Sequence, residues 1–149
     1  MGTTKPAKRA AAEGAGAEAA ASVTIDGVEL VLAPPDDHDV EWLDFDACIQ
    51  RLAAAWLRFS PKEPPLTPRI IGEPGVGKTT LACAVAHQLG RPPYIFQCTM
   101  DTRPEDLIVT PVLTPDRRVA YHASSLVSAM IRGGVAILDE GNRMPERAW

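Results

Sequence analysis

The stretch Gly72-Glu73-Pro74-Gly75-Val76-Gly77-Lys78-Thr79-Thr80 decides how the rest of the chain is read. It satisfies the pattern G-x-x-x-x-G-K-[ST] in full. Before it, Arg69-Ile70-Ile71 reads as a short buried strand; after it, Leu81, Val85 and Leu89 line one helical face. A strand that runs into a glycine loop and out into a helix is the setting in which this pattern cradles phosphate. The glycines let backbone N–H groups turn inward toward phosphate oxygens, where side chains would obstruct them. The helix N-terminus behind the loop adds about half a unit of positive charge. Lys78 is expected to reach the terminal phosphates, Thr79 to offer its hydroxyl to Mg²⁺, and Thr80 to be a helix residue near the ligand. The competing reading is a glycine turn that merely caps a helix, with a lysine there by chance. The complete pattern in its required setting decides for phosphate binding.

Outward toward the C-terminus the chain alternates strand and helix. Gly90 and Pro92-Pro93 stop the helix, and Tyr94 to Cys98 reads as the second strand. Two β-rich runs between Ile108 and His122 flank Thr114-Pro115-Asp116-Arg117, a hairpin whose Pro111 confines its strand to an edge. Ser124 can cap a helix with Leu126, Val127, Met130 and Ile131 facing inward, stopped by Gly133-Gly134. Val135-Ala136-Ile137-Leu138 is apolar on both faces, as a central parallel strand must be. It ends in Asp139-Glu140, where a parallel sheet opens its ligand crevice. The pattern is α/β.

Outward toward the N-terminus, nine of the first 22 residues are alanine, and residues 1–22 are expected to be a disordered tail. Residues 23–65 follow as a hairpin turning at Asp26-Gly27, a solvated Asp36-Asp37-His38-Asp39 patch, an amphipathic helix and a Pro-rich linker. That helix carries Phe45, Cys48, Ile49, Leu52, Trp56 and Phe59 on one stripe, with Asp44 as its cap. Residues 66–149 then hold the phosphate loop and the acidic pair.

Composition narrows the function classes. The 149 residues are 46% hydrophobic with a net charge of -4, enough for one domain and without the basic excess of a nonspecific nucleic-acid binder. No apolar run approaches the ~18 residues of a membrane span, so a soluble chain without a membrane partner is expected. Cys48, Cys83 and Cys98 form no C-x-x-C pair, which points to reduced, buried or half-buried thiols in the cytoplasm. Glu13 and Glu18 interrupt what a signal peptide would need as its apolar core. The three histidines, His38, His87 and His122, have no partner at metal-ligand spacing; His38 reads as solvated surface and the other two as structural.

The phosphate loop taken together with Ile137-Leu138-Asp139-Glu140-Gly141-Asn142-Arg143 resembles the AAA+ ATPases, and specifically their MoxR-like branch. Gln97 to Thr102 and Pro104 to Leu107 also resemble that branch, although Ile108-Val109 stands where its members usually have a glycine. The resemblance covers roughly residues 40–149. It implies a P-loop NTPase fold, a three-layer α/β arrangement around a parallel sheet, here incomplete. It implies ATP and Mg²⁺ as cofactors, Asp139 holding Mg²⁺, Glu140 polarising the attacking water, and Lys78 stabilising the transferred phosphoryl group. It further implies a homo-oligomeric ring and a protein partner, of which von Willebrand factor A-domain proteins are typical for relatives. The hairpin between Ile108 and His122 falls where relatives carry a pore-facing insertion, but it reads more simply as a surface hairpin. Trp149 comes ten residues after Asp139, whereas family members continue into a fourth strand, an arginine finger and a helical lid. That fourth strand lies between the first and third, so the strands present are expected to leave a gap in the sheet. The chain alone is therefore expected to be a weak nucleotide binder, an N-terminal piece of an ATPase. Two other functions fit the motifs: a short nucleotide-binding or dominant-negative module that does not hydrolyse, and another P-loop enzyme such as a small-molecule kinase.

Overall fold

Asp26 and Gly27 both take positive φ angles, 49° and 81°, as a two-residue type I′ turn requires. The turn folds Ser22–Ile25 (β1) antiparallel onto Val28–Val31 (β2). The computed structural model describes residues 21–36, 46–57, 60 and 62–149. Beyond the hairpin come Asp46–Ala54 (α1), Lys78–Gln88 (α2), Pro93–Gln97 (β3), Val109–Leu113 (β4), Val119–Ala123 (β5), Ser125–Arg132 (α3) and Val135–Asp139 (β6). Single 3-10 turns at Pro104–Leu107, Gly141–Arg143 and Glu146–Ala148 complete the described elements. Among the described residues no helix is long and apolar enough to cross a membrane.

The strands form two small sheets. β3 and β6 pair in parallel, from Pro93 opposite Val135 to Gln97 opposite Asp139. The other sheet has the order β1-β2-β5-β4, in which only the β2–β5 pair is parallel. β4 lies at its edge, where Pro111, lacking an N–H, is tolerated. Leu30, Leu32 and Ala123 form the core of this sheet, with Val23, Val109 and Val127 packed against them.

The segment after β2 ties the two sheets together. The Ala33 N–H donates to the Ser128 hydroxyl at 2.9 Å, and Ser128 is fully buried. Asp36 then runs along β3: its N–H donates to the Pro93 carbonyl at 2.9 Å, and its carboxylate accepts from the Ile95 N–H. α3 packs on both β3 and β6, and α2 also meets this pair. Ser124 caps α3 as expected, accepting from the Val127 N–H at 3.2 Å while donating to the Leu107 carbonyl at 2.7 Å. At the far end of α3, Gly133 is left-handed, with φ of 75°.

Several expectations are corrected. Arg69-Ile70-Ile71 is not a strand: the segment has no ladder partner among the described residues, and Ile71 is 81% exposed. An apolar run becomes a strand only when a neighbour supplies its hydrogen bonds. β6, read as a central strand, pairs among the described residues only with β3. The parallel sheet expected of a three-layer fold is thus reduced to two strands. In α3 the buried residues are Ser128 and Ala129, while Met130 is 74% exposed. Ile131 is also exposed. α2 likewise buries Ala82, Cys83, Val85 and Ala86, and Leu89 is left exposed at its end. Asp36 is half-buried and pinned, not solvated. Cys48 is exposed, so only Cys83 and Cys98 are buried thiols. His87 and His122 lie on the surface. Residues 1–20, Asp37 to Asp39, Asp44, Phe45 and Phe59 lie outside the described residues, and with them the tail and the ends of the amphipathic stripe.

Gly134 and Tyr94 give a direct check on this packing. A Cβ at Gly134 would stand 2.5 Å from Tyr94 Cε2 and 2.6 Å from the Pro92 carbonyl oxygen. Gly134→Ala is expected to cost about 1–3 kcal/mol, read as a lower Tm by thermal denaturation. The Tyr94 hydroxyl is buried without a hydrogen-bond partner among the described residues. Tyr94→Phe is therefore expected to leave the Tm unchanged or to raise it.

Candidate functional site

The loop from Gly72 to Gly77 owes its shape to its glycines. Gly75 and Gly77 hold φ angles of 79° and 83°, a region L-side chains rarely enter. Gly72 is close to the loop's far side, where a Cβ would meet Val76 Cγ2 at 3.3 Å. The Gly77 carbonyl accepts the first helical hydrogen bond of α2, from the Leu81 N–H at 2.8 Å. No side chain caps that helix end and its first turn carries no acid. The N–H groups of the first turn thus remain available to an anion.

Lys78 is folded back on the loop. Its Nζ donates to the carbonyls of Glu73 at 2.9 Å and Gly72 at 3.2 Å. Pro74 and Val76 are exposed on the same loop, and Thr80 is half-buried in the first turn of α2.

Thr79 makes the contact that joins the two motifs. Its Oγ1 donates to Asp139 Oδ1 at 2.9 Å across sixty residues of sequence. Asp139 is held by the end of β3: Gln97 is its partner in the β3–β6 ladder, and its carbonyl accepts from the Cys98 N–H at 2.9 Å. The same Oδ1 also accepts from the Glu140 N–H at 3.0 Å. Two hard oxygen donors, a hydroxyl and a carboxylate, therefore share one point between the start of α2 and the end of β6. That donor set suits Mg²⁺, which takes few protein ligands and completes its shell with phosphate and water. Among the described residues no group of three or more His, Cys, Asp or Glu side chains offers a fuller cage.

Glu140 turns away from this point. Its backbone is left-handed, with φ of 52°, and its carboxylate lies 3.5 Å from Arg143 Nε. The pair is solvent-exposed and contributes little to stability. Beyond it, Trp149 Nε1 donates to the Gly141 carbonyl at 3.1 Å, and a Cβ on Gly141 would meet the indole at 3.2 Å. Arg143 enters the sequence pattern only through the family resemblance, and its spacing of three from Glu140 is the local signal for the pair. Nothing in the sequence pointed to Trp149 or to the anchoring of Asp36.

Two buried thiols flank the acid. Burial first, then the carboxylates of Asp36 and Asp139, push the Cys83 thiol above its ordinary 9.0. Burial and Asp139 do the same for Cys98. Cys83 stands one helical turn after Thr79, on the side of α2 turned to the interior.

A glycine loop, a helix N-terminus and a strand-end acid hydrogen-bonded to the loop's threonine define the phosphate-loop NTPase class. Residues 69–149 match the family model for the AAA domain (dynein-related subfamily), more than half of the chain, and the chain belongs to that family. Nucleotide binding and an ATPase-type function follow in general terms. Family members often act in oligomeric assemblies. No solved structure matches the chain.

The thiols generate a pH prediction. A thiol whose pKa is raised on folding keeps its proton in the native state after the unfolded chain has lost it. The stability this contributes is complete below about pH 9.0 and declines as pH rises further. The Tm is expected to fall as pH rises above about 9.0. Cys83→Ala is expected to flatten that slope, whatever it does to the Tm at neutral pH.

Proposed function

We propose that the chain is the nucleotide-binding part of a MoxR-like AAA+ ATPase, binding ATP with Mg²⁺ on the loop from Gly72 to Thr80. The observation that carries this reading is the hydrogen bond between Thr79 Oγ1 and Asp139 Oδ1. It joins the two residues that the metal of a phosphate-loop enzyme needs.

In this reading the backbone N–H groups of the loop and of the first turn of α2 hold the phosphates. Lys78 releases the Gly72 and Glu73 carbonyls and turns its ammonium to the terminal phosphate oxygens. Thr79 and Asp139 would hold Mg²⁺, which when bound would supply positive charge to the phosphate oxygens. Glu140 accepts a proton from the attacking water. To do so it must leave Arg143, an exchange of one exposed ion pair that costs little. Lys78 and Glu140 are thus the catalytic pair, and Thr79 and Asp139 the metal ligands.

The complete assembly, in this proposal, is a homo-oligomeric ring in the cytoplasm that remodels or activates a protein partner. A von Willebrand factor A-domain protein is the partner class the resemblance suggests. The engagement of Lys78 and Glu140 with their own chain also favours a second reading, binding without turnover by residues 1–149 alone.

Fluorescent ATP-analogue titration of residues 1–149 with Mg²⁺ tests the site. Binding is expected, and Lys78→Ala is expected to weaken it at least tenfold, about 1.4 kcal/mol. Equal affinity in the two chains overturns the site. In the ring-forming assembly, Glu140→Gln is expected to keep nucleotide affinity and lose phosphate release; unchanged release removes Glu140 as the base.

A further inference from the structure

Among the described residues, three that are not glycine hold a positive φ: Asp26, Arg117 and Glu140. Asp26 and Arg117 stand in the turns of the two hairpins, where the chain reversal accounts for them. Glu140 stands in no hairpin. It follows β6 directly, with φ 52° and ψ 33°. That region is disfavoured about 5- to 30-fold for a residue with a side chain. Glutamate also lacks the short polar side chain with which Asn and Asp offset the cost locally. Glu140 therefore owes its posture to its neighbours, and backbone strain of this kind gathers at functional sites.

The neighbours form a small frame. The Glu140 N–H donates to Asp139 Oδ1 at 3.0 Å, and the Glu140 carbonyl accepts from the Arg143 N–H at 2.9 Å. The next carbonyl, that of Gly141, accepts twice: from the Met144 N–H at 3.1 Å and from Trp149 Nε1 at 3.1 Å. Met144 is buried and fixes one side of the turn to the body of the chain. Trp149 closes the other side. Its indole lies so near Gly141 that a Cβ there would meet Cζ2 at 3.2 Å and Cη2 at 3.3 Å. The ring is held in turn through the Trp149 N–H, which donates to the Glu146 carbonyl at 3.1 Å. The exposed Glu140–Arg143 pair shifts an equilibrium by about fivefold at most. The indole adds a hydrogen bond and a ring contact to the same turn. Trp149 is itself 65% exposed, so replacing it removes little core packing.

We propose that Trp149 is a positioning residue for Glu140: its indole, seated on Gly141, locks the turn that keeps Glu140 left-handed and turned toward Arg143. The proposal rests on the reading of Glu140 as the base. It gives the resting site a base held off the point that Thr79 and Asp139 share. Occupation of the phosphate loop and readiness of the base are then separate events, the second set by release of the Glu140 turn.

Backbone NMR of the full 149-residue chain without nucleotide tests the role of Trp149. The Cα and Cβ shifts and the HN–Hα coupling of Glu140 report its φ, and Asp26 and Arg117 serve as left-handed controls in the same spectra. Trp149→Ala is expected to remove more than half of the left-handed signature of Glu140 while leaving both controls unchanged. Gly141→Ala keeps the indole but pushes it off the turn, and is expected to do the same. Trp149→Phe keeps a ring without the N–H and is expected to fall between these and the wild type. A Glu140 that stays left-handed in both alanine variants overturns the proposal, as does a wild-type Glu140 without the signature. Loss of all three left-handed signatures together means that Trp149 supports the whole fold, and overturns it too. Titration with Mg²⁺ and a fluorescent ATP analogue separates this role from the site itself. Trp149→Ala is expected to bind as the wild type does, because its contacts are with Gly141 and Glu146. A Trp149→Ala chain that alone loses affinity places Trp149 in the binding site and overturns a positioning role. If the wild type does not bind, the nucleotide site falls, while the Glu140 signals still decide whether Trp149 sets the turn.

Discussion

A single hydrogen bond, from the Thr79 hydroxyl to the Asp139 carboxylate, sets where everything else in the site must stand. It closes only if the first turn of α2 approaches the end of β6 to within one side chain. The glycine loop delivers the first, since left-handed Gly75 and Gly77 turn the chain into the helix with Thr79 at its start. The β3–β6 ladder delivers the second, since Gln97 and Cys98 hold the Asp139 backbone from one side. The interior of α2 is lined with small residues, Ala82, Cys83 and Ala86, which permits the close approach.

The frame behind this contact is anchored from an unexpected quarter. A segment between the hairpin and α1 supplies β3 with edge partners: Asp36 bonds to Pro93 and Ile95, and the Ala33 N–H is satisfied by buried Ser128. The N-terminal hairpin is thereby attached to the same body as the phosphate loop, both through this edge and through the β2–β5 pairing. On its other side β6 has no partner among the described residues, and the extended Arg69-Ile70-Ile71 lies unpaired. The loop thus depends for its position on the Thr79–Asp139 contact and on α2, not on a strand feeding into it.

Local signals were legible in the sequence, and long-range partners were not. The Asp26-Gly27 turn, the Ser124 cap, the edge role of Pro111 and the Asp139-Glu140 strand end depend on residues within a few positions of one another. All four stand where their chemistry required. The strand at Arg69 failed because an apolar run specifies a tendency and a ladder partner decides the outcome. Met130 and Ile131 were misassigned because helical periodicity finds an apolar face without knowing which side of the helix the fold covers, here the side of Ser128 and Ala129. At the site, the loop and the acid were readable as types, while the posture of Lys78 and the Glu140–Arg143 pair follow from geometry alone.

Nucleotide binding at this site requires Thr79 and Asp139 to act as one metal-binding unit. The most direct measurement is a double-mutant cycle, Thr79→Ala with Asp139→Asn, on the Mg²⁺-dependent part of ATP-analogue affinity. If the two residues share the ion, each single change removes most of the Mg²⁺ dependence. The double change then removes little more, a coupling of about 1–3 kcal/mol. Additive losses, or a Mg²⁺ dependence that survives both changes, would contradict the account.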